Sequence, residues 1–297
     1  MAARMKQVRR ITRLGVSDFE TVAATERLQN DMLRRLEQVL SDSGRLAGLA
    51  DCDKNHCGRP KCSEACEFYT RRRRLKEIPA VHRLLLKSAG PLYEVRVGRG
   101  VWAQPAGNLD RVSIAAAKKL NRWALDRLYM PNLVAVGAFK VSVAPQHEGR
   151  GWKCEIHQII AGAKKKELEK VFSTSRNVSG NFLRVKEVTN LGQTISDVLK
   201  RNVQGWQHPY RTETTPDRPK KVHRAEYYSW LLSLRPNDRM IRYGCDRYFN
   251  RLKKRPRVVH QKIRKGHPRP IWLERYMFGS HPQNCRCIRC TGPYPLN

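Results

Sequence analysis

The chain has 297 residues, with 59 Lys plus Arg against 26 Asp plus Glu and a formal net charge of +33. A field that positive is out of place on an ordinary metabolic enzyme and draws the chain to a polyanion, either nucleic acid or an acidic membrane surface. The 40% apolar content excludes a disordered tail protein. No run approaches the roughly 18 apolar residues of a membrane span, so the expectation is a cytoplasmic protein facing nucleic acid. The basic start, MAARMKQVRRITRLG, lacks the apolar stretch of a secretory signal, although an Arg-rich organelle leader would look similar.

In chain order, residues 17–42 predict a helix. Ser17 and Glu20 form a capping box, and Leu28, Met32, Leu36 and Val39 follow at helical spacing. A Cys-rich segment at 51–74 runs into Arg71, Arg72, Arg73 and Arg74, and a short helix is expected from Pro79 to Ser88. YEVRVGRGVW at 93–102 alternates as a strand, with Gly98 and Gly100 marking a turn or bulge. Residues 112–130 predict a helix with Ile114, Leu120, Trp123, Leu125 and Leu128 on its apolar face, closed by Pro131. LVAVGAFKVSV at 133–143 and WKCEIHQIIAG at 152–162 read as strands joined by a loop at 144–151. KKKELEKVF at 164–172 begins a helix, and 192–202 and 225–234 predict two more, separated by a polar, Pro-containing linker at 203–222.

This order predicts an α+β fold, an antiparallel central sheet with flanking helices and a zinc knuckle before the core. The expected organisation is a helical segment at 1–50, a zinc-binding knuckle and basic clamp at 51–90, an α+β domain at 91–250 and a basic Cys-containing tail at 251–297.

Seven of the nine cysteines sit in two clusters, which in a basic, unsecreted chain points to metal rather than disulfides. The first cluster offers Cys57, Cys62 and Cys66, with Cys52 or His56 as a fourth ligand for tetrahedral zinc. It would hold the arginines that follow it as a phosphate clamp. The second cluster, His281, Cys285, Cys287 and Cys290, could hold another ion, with its Cys-x-Cys pair straining the geometry. Tyr69, Trp102, Trp206 and Tyr210 lie among basic residues and are candidates for stacking on unpaired bases.

On the strand at 152–162, period two places Glu155 and His157 on one face and turns Cys154 and Ile156 to the other. Carboxylate beside imidazole suits Mg²⁺ or Mn²⁺; a structural pair or a plain nucleic-acid contact is the plainer reading.

Three segments, CGRPKCSEACEFYTRRRR, LVAVGAFKVSVAPQHEGRGWKCEIHQIIAG and NLGQTISDVLKRNV, in that order, resemble rolling-circle replication initiators of the HUH endonuclease family. YYSWLLSLRPNDRMIRYGCDRYF at 227–249 resembles the part that follows their nuclease core, with Arg242 in a phosphate-contacting turn. The resemblance implies a zinc segment before the core, a metal on the His-bearing strand, and a tyrosine one turn before a lysine on a later helix. Here Glu155 and His157 stand at the metal positions. Asp197 stands where the tyrosine would be, and Lys200 matches the lysine. Asp197 cannot form a phosphotyrosine link. Tyr210, Tyr227 and Tyr228 are the substitutes, provided a phenol reaches the Glu155/His157 face. The resemblance thus implies a plasmid or mobile-element initiator-like protein that binds single-stranded or origin DNA. It either nicks one strand with a divalent ion or has lost the nucleophile and only binds.

Overall fold

A computed structural model describes residues 2–39, 63–88, 90–143, 151–173, 181–200, 221–235 and 237–245. Cys52, His56, Cys57 and Cys62, the whole second cysteine cluster, Trp206, Tyr210, most of the linker and the basic tail lie outside them.

The described chain contains seven helices: α1 Ala2–Thr12, α2 Val22–Glu37, α3 Glu67–Leu86, α4 Ile114–Asp126, α5 Lys165–Phe172, α6 Leu191–Leu199 and α7 Lys221–Ser233. Its six strands are β1 Leu92–Gly98, β2 Gln104–Pro105, β3 Val134–Val143, β4 Gly151–Ala161, β5 Phe182–Glu187 and β6 Met240–Tyr243. The sheet is open and antiparallel, in the order β5-β1-β4-β3-β6, with the two-residue β2 pairing onto β4. The run β1-α4-β3-β4-α5-β5 therefore makes two crossovers, each with a strand of the other inserted between its ends. This is the split β-α-β arrangement.

Alternation on the strands sorts the side chains into two layers. On one face, Val136, Ala138, Ile159, Ala161 and Met240 pack with Ile11 of α1, Ile78 of α3 and Ile195 of α6. On the other, Val95, Ala135 and Ile160 pack with Leu125 of α4 and Leu168 of α5. Further along that second face, Phe139, Trp152 and Ile156 pack with Met32 of α2 and Tyr227 of α7. The first face is called the site face below, the second the helix face.

Several elements differ from the sequence expectation. Helix α2 starts at Val22 because Thr21, not Ser17, accepts the Ala24 N–H at 3.1 Å; such a cap contributes about 1 kcal/mol. Ser17 instead donates from its backbone to Gln193 Oε1, 3.2 Å away on α6. Only Met32 and Leu36 of the expected α2 stripe are buried, while Leu28 and Val39 are exposed. Helix α3 runs straight through Pro79 and includes all four arginines. It begins where the Cys66 Sγ accepts the Tyr69 N–H at 3.4 Å. On α4, Leu120 and Trp123 point to solvent, and the buried side is Ile114, Ala117, Asn121, Ala124 and Leu125. Two glycines are dictated by close approach. A Cβ at Gly192 would stand 1.7 Å from the Leu14 carbonyl oxygen, and at Gly244, where φ is +67°, 2.0 Å from that of Leu133.

Candidate nucleic-acid interface

The register lines up three rows across the site face. Arg184, Arg96, His157 and Ala138 form one row from β5 to β3. Lys186, Glu94, Ile159 and Val136 form the next, and Phe182, Gly98, Glu155 and Lys140 the third. The β3–β4 half of this face lies under α1, α3 and α6. At the β5 edge Arg184 and Lys186 are exposed, and Arg96 and Glu94 are half-buried beside them. Phe182 lies over Gly98, where an added Cβ would overlap its ring.

Glu155 and His157 do share this face, and Cys154 and Ile156 face the opposite core. The two site residues stand in different surroundings. His157 is fully buried, its Nε2 2.8 Å from the Glu94 carboxylate, and its Nδ1 has no hydrogen-bond partner. Burial, reinforced by Lys140, pushes the imidazole down to about 3, and the His157 hydrogen bond pulls Glu94 to about 2. At neutral pH an uncharged ring therefore donates its Nε2–H to an ionised carboxylate, which also accepts from Arg96 Nε at 2.9 Å.

Glu155 pairs across the ladder with Lys140. The Lys140 Nζ donates to the Asp197 carbonyl oxygen on α6 at 2.5 Å. Burial brings its ammonium down to about 8, with the Glu155 and Asp197 carboxylates holding the charge in place. Asp197 and Lys200 are turned to local partners. The Asp197 carboxylate accepts from Gln193 at 3.1 Å, and burial raises its pKa. Lys200 pairs with Asp18 at 3.0 Å.

The Glu155 carboxylate and the His157 Nε2 each already face a charged neighbour. The imidazole nitrogen nearest a carboxylate is already donating to it, and the Lys140 ammonium supplies the positive charge beside Glu155. Among the described residues no three His, Cys, Asp or Glu side chains come together as an ion would need.

The arginine run is mostly internal. Arg73 pairs with Glu64 and Glu77, while Arg74 pairs with Glu20 and donates to Ser196 Oγ at 2.7 Å. Both are buried, so the helix spends them on joining α3 to its neighbours. Arg71 donates to the Glu20 carbonyl oxygen and is half-buried, as is Arg72. Arg242 is tied to Glu77 at 2.8 Å. Tyr227 and Tyr228 lie in the core under the helix face, Tyr227 stacked 6.3 Å from Trp152, so neither phenol reaches His157. Tyr69 and Trp102 are core aromatics as well.

Sequence reasoning passed over Glu94, Arg96, Lys140, Arg184 and Lys186. The first two were signalled by the alternation of YEVRVG and the third by being the lone charge in an apolar strand; β5 carried no comparable signal. Among the described residues no helix is long and apolar enough to cross a membrane. Compared with known proteins, the chain matches no family model, no curated protein and no solved structure.

Proposed function

We propose that the protein is an initiator-like DNA-binding protein that holds single-stranded or origin DNA on the open edge of its site face and does not cut it. The observation that carries this is the exposed pair Arg184 and Lys186 on β5, flanked by Arg96 and Phe182, at the end of the sheet that the described residues leave uncovered, in a chain of net charge +33. Cations in a row bind successive phosphates, and a half-exposed ring beside them offers a surface for a base. The split β-α-β plan supports the kinship with the HUH family. It makes the His157 strand central and lays the Asp197 helix across the same face.

The loss of cutting is supported by four features together: Lys140 between Glu155 and Asp197, His157 committed to Glu94, no phenol on α6, and Tyr227 and Tyr228 on the far side of the sheet. The Cys52–Cys66 segment is proposed to hold structural zinc. Cys66 lies at the start of α3, where its sulfur accepts the Tyr69 N–H.

The test is to incubate the full chain with labelled single-stranded and duplex DNA, in Mn²⁺ and in EDTA, followed by binding gels and by denaturing gels with and without protease. Binding that survives EDTA, with no cleavage, is expected. Metal-dependent cleavage lost in His157→Ala would establish the nuclease instead. Absence of binding at low salt would remove the nucleic-acid reading altogether.

A further inference from the structure

The helix face carries a second basic surface, well away from the site face. On α4 the side chains turned outward include Lys119, Arg122 and Trp123, with Arg127 at the helix C-cap. Trp123 is 57% exposed, and its ring carries the Arg127 guanidinium 4.7 Å from the centroid. The outward orientation is fixed from below. Asn121, buried on the opposite side of α4, makes a reciprocal pair with Gln158 of β4, at 3.1 and 2.8 Å. Rotating the helix to bury Trp123 would break both bonds inside the core, where unpaired amides are costly.

Just beyond α4, Tyr129 sits at φ +50° and is 89% exposed. The same turn meets the start of α5: a Cβ at Gly162 would stand 2.9 Å from the Asn132 carbonyl oxygen. Lys164, Lys165 and Lys166, all exposed, therefore border the turn that holds Tyr129. The nearby acids are already used. Asp126 accepts from Tyr243 Oη at 2.8 Å, and Glu169 lies 3.9 Å from Lys165.

We infer that this surface is a second single-stranded nucleic-acid site, with Trp123 as the stacking platform for a base and the lysines of α5 as phosphate contacts. A large exposed indole among cations suits a base that is not already stacked in a duplex. A second copy of the chain is disfavoured, because it would bring two like-charged surfaces together. The chain's own C-terminal segment, with RLKKRPR and KIRKGHPRP, carries the same charge sign. The inference rests on the proposal that the chain binds nucleic acid, but it concerns the opposite side of the sheet.

The test uses the full chain with fluorescent oligo(dT) and a duplex of equal length, read by anisotropy, with thermal melts to show that each variant is folded. In the Arg184→Glu/Lys186→Glu background, where the site face is weakened, oligo(dT) should still bind. Adding Trp123→Ala should cost about tenfold in oligo(dT) affinity and leave duplex binding nearly unchanged. Trp123→Phe should restore most of the loss. Trp123→Ala should also leave the salt dependence alone, whereas Lys165→Glu/Lys166→Glu should flatten it. Unchanged oligo(dT) affinity in Trp123→Ala, or equal loss on duplex, overturns the inference. A wild-type chain that binds neither probe overturns the proposed function itself.

Discussion

Replacing His157 with glutamine removes a titrating ring and keeps an amide N–H for the Glu94 carboxylate. The structure makes a signed prediction about the difference. Burial and the Lys140 ammonium hold the folded imidazole at about 3, against an ordinary value of 6.5. As pH falls below 6.5 the unfolded chain takes up a proton here that the folded chain refuses. The contribution is therefore fully present above 6.5 and drains away toward 3, at about 1.4 kcal/mol per pH unit. Between pH 6.5 and 4.5 the loss amounts to about 2 kcal/mol, because the unfolded ring is already half protonated at 6.5. Glu94, held near 2, contributes mainly below its ordinary 4.5, and His82, also lowered by burial, titrates alike in both proteins, so the difference between wild type and variant isolates His157. Urea unfolding followed by circular dichroism at pH 6.5, 5.5 and 4.5 measures it. Wild type should lose about 2 kcal/mol more than His157→Gln across the window. Parallel losses would mean that His157 protonates inside the fold, and the buried, neutral ring described above would be wrong. The same sign carries a functional corollary: acidification through this range should not strengthen DNA binding through His157.

Three other perturbations probe separate links. Glu64 is fully buried, paired with Arg73 and Arg239 and accepting the Asn237 N–H at 3.0 Å. Glu64→Gln leaves two guanidinium groups undercompensated and should cost about 3–5 kcal/mol in denaturant unfolding. Arg184→Glu with Lys186→Glu should leave the melt nearly unchanged. It should lower the slope of log affinity against log salt by about 0.7–0.9 for each phosphate that is no longer neutralised; an unchanged slope would take β5 out of the interface. Metal analysis of the purified chain should find zinc, and Cys66→Ser should reduce it; equal zinc in both would remove Cys66 from the ligand set.

The strands and helices of the central region were legible because their patterns are clean. LVAVGAFKVSV and WKCEIHQIIAG are long and bounded by turn residues, and both form the strands expected of them. What the pattern could not supply was partner-dependent. FLRVKE is short and half polar, and it becomes a strand only because β1 offers a free edge. MIRY likewise needs β3. Trp123 looked like core by helical spacing. The polar Asn121 took the inward position instead, because Gln158 waits beneath it. The Arg71–Arg74 run looked like a phosphate clamp: Glu77, at i+4 on the same helix, is a local partner of Arg73, but nothing local reveals that Glu20 and Glu64 come from outside the helix to meet Arg74 and Arg73.

The candidate site shows the same division at closer range. That Glu155 and His157 share a face follows from period two alone. Their chemistry is set by residues that register delivers from other strands: Glu94 from β1 to the histidine and Lys140 from β3 to the glutamate. These two neighbours change the meaning of the motif. A carboxylate and an imidazole left open to solvent would attract a divalent ion. Here the carboxylate faces an ammonium, and the imidazole already donates its Nε2–H to a second carboxylate. The positive charge that a metal would bring to Glu155 is here part of the chain, on the buried Lys140. A cation fixed in that way cannot activate a water as a metal does. The proposal of binding without cutting therefore rests on where the register puts one lysine, independently of the tyrosine missing from α6.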